Sequence, residues 1–150
     1  MALKPDRNEV YTDISFFMNT TAERGGVVAF STGGVGSAMD DANAVVAAPA
    51  ALTDKPAGLL LNDVVNYDLT RQHMNWYKDE VQKGNKVTLL RRGFVVTNML
   101  DTAAAPAAGL PAYFTIGGKL TNAVTGSAAV GVFLSGKDAD GYAKVDVHIA

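Results

Sequence analysis

The feature that most constrains this chain is how often its apolar runs are cut short. Val27–Phe30, Gly58–Leu61, Lys86–Thr97, Tyr113–Ile116, Ala129–Leu134 and Tyr142–Ile149 are rich in aliphatic and aromatic residues. Glycines or turn-forming pairs such as Asn62-Asp63, Gly117-Gly118 and Asp140-Gly141 separate them, and 15 glycines in 150 residues supply most of the breaks. An amphipathic helix shows itself over roughly ten or more residues, whereas a strand is complete in about five. Many short strands with close turns predict an all-β fold that closes as a small sandwich or barrel. No long helical segments alternate with them, so a parallel α/β sheet is not expected.

The clearest strand signal is Lys86–Thr97, whose β-branched halves flank Gly93, where a bend, bulge or tight turn is expected. Residues 43–48 suit a further strand, and Val64-Val65 another after the Asn62-Asp63 turn. Lys119–Thr121 reads as the return of a hairpin begun at Tyr113. Ala129–Leu134 and Tyr142–Ile149 pair across Lys137–Gly141. Residues 68–82 differ: Asp68 can cap one short helix, with Leu69, His73, Trp76 and Glu80 on one face, or the stretch is a polar link.

Residues 1–24 read as an N-terminal arm ahead of a single β-rich domain over residues 25–150. Val10, Thr12, Ile14, Phe16 and Met18 alternate with Tyr11, Asp13, Ser15, Phe17 and Asn19, the period of an extended strand. The apolar side must be covered, since burying each large side chain is worth about 1.5–3 kcal/mol. The expectation is strand addition to a neighbouring chain, with Val10, Ile14, Phe16 and Met18 as partner-binding residues. Removal of residues 1–24 is then expected to leave a folded domain that no longer binds.

Composition narrows the function. The chain is 48% hydrophobic and 19% charged, too apolar for disorder. A net charge of −2 gives no reason to expect nucleic acid or an anionic membrane as partner. The absence of cysteine removes disulfides, thiolate metal sites and cysteine nucleophiles, and suits folding in a reducing cytoplasm. Neither a signal peptide nor an apolar run long enough to span a bilayer is readable, so a soluble chain is expected. So apolar a small domain is expected to cover surface by forming a homo-oligomer.

Each stretch that suggests chemistry has a plainer explanation. Ser31–Ser37 resembles a phosphate-binding loop, but no Lys follows, and Asp40 and Asp41 would repel phosphate. Asp138-Ala139-Asp140-Gly141 has the start of a calcium loop without the later Glu, and a hairpin turn explains it better. His73 and His148, the two histidines, have no metal-ligand spacing. Arg91-Arg92 suits interfacial ion pairing on a chain of this charge. His73–Tyr77 gathers Trp76 and Tyr77 as either a core edge or a contact anchor. No catalytic residue, cofactor site or metal site is expected, and no enzyme.

Three stretches carry a resemblance. Pro56–Val64 has a glycine, an aliphatic run and Asp-Val; Lys86–Leu100 has Arg91-Arg92-Gly93 and then Phe94-Val95-Val96; Gly131–Val145 closes on an Asp-Gly hairpin. In these the chain resembles the head decoration (capsid cement) proteins of tailed bacteriophages over most of residues 56–147, departing from the smallest of them in Asp68–Gln82. The resemblance implies a small β-barrel or β-tulip-like domain on the outer surface of the virion head, made in the host cytoplasm. It further implies binding to the major capsid protein, trimers at threefold positions, and an N-terminal arm that adds a strand to a partner sheet. Trp76, Tyr77, Arg91 and Arg92 are then candidate oligomer or partner contacts. The alternative is a barrel that binds a small molecule or carbohydrate by stacking on Trp76, Tyr77 and Tyr113.

Overall fold

The computed structural model describes residues 2–31, 45–66 and 80–149. Every regular element among them is a strand: β1 (Asn8–Met18), β2 (Val27–Ser31), β3 (Val45–Ala47), β4 (Pro56–Leu60), β5 (Asp63–Val65), β6 (Glu80–Gln82), β7 (Lys86–Thr97), β8 (Pro111–Phe114), β9 (Leu120–Thr121), β10 (Gly131–Phe133) and β11 (Ala143–His148). The chain is all-β, as its glycine-cut runs require.

The 12 residues of β7 organise the molecule. Along one edge β1 runs antiparallel, from Asn8 opposite Phe94 to Phe17 opposite Lys86. The other edge is divided. β4 takes its first half at Leu89 and Leu90, and β11 takes its second half from Arg92 to Thr97. The hand-over falls at Arg91, whose carbonyl accepts a 2.9 Å hydrogen bond from the Ile149 amide. Beyond β11 the sheet continues through β10 and β8 to β9. On the other side β4 pairs with β2, β2 with β3, and β3 meets β1 in parallel at Phe17–Val45 and Met18–Val46. Pairing among β1, β3, β2, β4 and β7 therefore closes into a ring.

Two cores follow from this topology. Every strand of the ring contributes to one of them: Met18, Val46, Val28, Ala57, Leu60, Val87 and Leu89. The alternate residues Val27, Leu59, Leu90 and Val95 face a larger core, shared with Phe114, Leu120, Phe133, Val145 and Val147. β2, β4 and β7 thus have apolar contacts on both faces. That is why Val27-Val28 and Leu59-Leu60 read as continuous apolar runs rather than alternating ones. The amide of Val27 donates to Gly118 O at 2.8 Å, tying the ring to the turn between β8 and β9.

β7 runs through Gly93 with φ at +138°, and its pairing with β1 shifts register beside it, between Glu9 and Tyr11. A Cβ there would sit 1.9 Å from the Asn8 carbonyl oxygen, so glycine is what lets β1 lie against β7. Two expectations need correction. The short helix placed over 68–82 gives way at its end to β6, which pairs in parallel with β5, while Val81 packs against the ring core. Sheet pairing and burial outweigh a weak helical face there. The rest of that segment, with Asp68, Leu69, His73, Trp76 and Tyr77, lies outside the described residues, as does the glycine-rich loop after Ser31. The simple alternation over 10–18 is also broken. The register of β1 shifts between Glu9 and Tyr11, Tyr11 and Thr12, and Asp13 and Phe16.

Candidate partner-binding surface

The register shifts decide where the side chains of β1 point. Val10 is 68% exposed and Ile14 64%, Phe16 is half-buried, and Met18 is fully buried in the ring core. Phe17, which strict alternation would put on the opposite face from Met18, is buried as well, with the Lys86 ammonium 5.5 Å from its ring centroid. Phe16 meets Phe30 edge-on at 5.7 Å between centroids. Of the four residues expected to bind a partner, Met18 anchors the strand on its own chain, and Val10 and Ile14 are presented outward.

One shift is held by Asp13, whose carboxylate accepts hydrogen bonds from the Ser15 amide, at 2.8 Å, and from the Ser15 hydroxyl. Partial burial pushes the Asp13 pKa up, but these bonds and the Arg91 charge together bring it below the usual carboxylate value. Among the described residues β3 meets β1 only at Phe17 and Met18, and no other strand pairs with the edge of β1 away from β7 over 8–16. Bulges are a common way of keeping such an edge from indiscriminate pairing.

Where β7 passes from β4 to β11, a groove of about 530 Å³ opens, lined by Val10, Tyr11, Arg91, Arg92 and Ile149. Neighbours on a regular strand face opposite ways, yet Arg91 and Arg92 line this one groove. The shifted pairing of Tyr11 with Arg92 and the positive φ of Gly93 mark the irregularity that accompanies this. Arg91 is half-buried and Arg92 exposed. His148, also exposed, lies opposite Arg92 on β11. Sequence reasoning found the two arginines and missed Tyr11 and Ile149 as their neighbours, because the groove comes from strands far apart in the chain.

The start of the chain is clamped at the far end of β7. Leu3 is buried in the larger core and bridges Thr97, and the Lys4 amide donates to Val96 O at 2.9 Å. The Lys4 ammonium lies 4.4 Å from the Tyr142 ring centroid and 3.8 Å from Asp138 Oδ2. Asp138 builds the hairpin turn: its Oδ1 accepts from the Asp140 and Tyr142 amides, each at 2.9 Å. The Tyr142 amide above all, with the Asp140 and Gly141 amides and the Lys4 charge, holds the Asp138 carboxyl below its ordinary pKa against the opposing effect of desolvation. A second exposed apolar group, Leu110, Val132 and Leu134, lies on and beside β10. Tyr113 is half-buried on β8.

A family model described as "Structural cement protein (E217 gp24/Pam3 gp6)" matches residues 6–148. The chain belongs to this family of phage cement proteins. It is therefore a virion structural protein, and the resemblance read from Pro56–Val64, Lys86–Leu100 and Gly131–Val145 falls wholly within the match. No curated protein matches the chain. The match begins at Asp6, so it takes in the whole of β1 and both strands of the Asp138 turn.

Proposed function

We propose that this cement protein decorates the outer surface of a phage head, binding the lattice of the major capsid protein and stabilising it without catalysing any reaction. The family membership carries this reading, and the exposed apolar side chains of β1 support it. A ligand that binds the assembled shell better than the free subunits stabilises the shell by linkage, and repetition over a symmetric lattice multiplies weak contacts. Residues 1–24 act as an arm that is also part of the fold, with Phe17 and Met18 holding it down while Val10, Ile14 and the edge of Phe16 face the partner. A homotrimer covers further apolar surface, for which Leu110, Val132 and Leu134 are suited, and Trp76 and Tyr77 are contact candidates from the segment before β6. The protein is made in the host cytoplasm and needs no nucleic acid, membrane, metal or cofactor.

The test compares heads with and without the protein under heat and osmotic shock. Decorated heads are expected to survive conditions that burst bare ones. Equal survival removes the stabilising role.

A further inference from the structure

We propose that the groove between β1, β7 and the end of β11 receives an extended, carboxylate-bearing segment of the shell protein, laid as a strand beside β1. This rests on the decoration reading above and names the chemistry of its contact. The groove, about 530 Å³, has the size of a site that takes a few side chains. Its walls pair two guanidinium groups with Val10, Ile149 and the ring of Tyr11, which together fit an acidic residue flanked by apolar ones.

Beside the groove, among the described residues, β1 pairs only with β7 over 8–16. An added strand would place alternate side chains on the groove side, as in other strand-addition complexes. The acidic groups nearby are already engaged: Glu9 pairs with Arg7 at 2.6 Å, and Asp13 holds Ser15 and lies in the field of Arg91. Arg92 has no carboxylate within ion-pairing distance among the described residues, so the incoming carboxylate is directed to it. Its planar fork suits a bidentate contact that a lysine ammonium does not reproduce.

The experiment measures binding of full-length protein to heads stripped of it, for the unaltered chain and for Arg92→Glu, Arg92→Lys and Val10→Asp. Both altered side chains are exposed, and a thermal melt confirms that the fold is intact. Arg92→Glu and Val10→Asp are expected to weaken binding by about tenfold or more, and Arg92→Lys by less. Unaltered affinity in Arg92→Glu and Val10→Asp overturns the groove while leaving decoration standing. Failure of the unaltered chain to bind bare heads removes decoration and the groove with it. If Arg92→Glu instead changes the mass of the protein in solution and leaves head binding alone, the groove is a contact between copies of this chain and the inference falls.

Discussion

Gly93 and Gly131 set how closely backbones approach in this sheet. A Cβ on either would lie 1.9 Å from a carbonyl oxygen, of Asn8 and of Asp146 respectively. Gly93→Ala is therefore expected to cost about 2–4 kcal/mol and to loosen β1 first, read by chemical denaturation and by amide exchange at residues 8–12. The contrast between Met18 and Ile14 separates anchoring from presentation. Met18→Ala empties part of the ring core and should cost about 2–4 kcal/mol, whereas Ile14→Ser should stay within about 0.5 kcal/mol. If Ile14→Ser proves as costly as Met18→Ala, β1 is not placed as described. Asp138 gives a pH dependence of known sign. Its folded pKa is lowered, so its contribution is complete above the unfolded value and is lost as pH falls through the lower folded one. The turn should hold at pH 5 and open only below the ordinary carboxylate range. Chemical shifts of the Asp140 and Tyr142 amides report it, and Asp138→Asn should abolish the transition.

At the scale of the element, β7 was plain in the sequence because a run of 12 residues whose two halves are rich in β-branched residues, broken by one glycine, has no competing explanation. The strands β2, β4, β10 and β11 were legible for the same reason, and the Asp138 turn was legible from Asp-Gly alone. β1 was recognised as a strand but its facing was not, since the three register shifts depend on Asp13, Ser15 and the partner strand rather than on period. β6 carried no strand signal, being only three residues long and dependent on β5 for its pairing. The groove was invisible because Tyr11, Arg91 and Ile149 are brought together only when β4 and β11 divide one edge of β7. The expectation that residues 1–24 can be removed without harm changes accordingly. Leu3 and Met18 belong to the two cores, Phe17 is buried, and β1 pairs with β7 from Lys86 to Phe94. A chain starting at Gly25 is expected to lose its cooperative unfolding transition and expose apolar surface, as judged by near-ultraviolet dichroism and dye binding. A sharp, native-like transition in that chain would show the strand to be a detachable arm.

For the whole molecule, a net charge of −2 and a contact surface of aliphatic side chains, a strand edge and one or two arginines predict binding that tolerates salt. Raising ionic strength from about 0.05 to 0.2 M should weaken attachment to heads several-fold at most, against about 10³–10⁵-fold for a protein neutralising many phosphates. Release of the protein from heads over that range would show the contact to be mainly ionic. The ring itself has a consequence for how the chain reaches its native state. Its first strand is completed by pairing with residues 86–94, and β2 is fixed by a turn at Gly118, so few stabilising contacts are local. Loop closure must come before those contacts form, and chains with this distribution of sequence separations fold on the millisecond-to-second scale rather than in microseconds. During synthesis, β1 waits without its main partner strand until the ribosome has released β7. At the bacterial elongation rate of about 5–20 residues per second that interval lasts seconds, long enough for chaperones to hold the nascent chain before it closes.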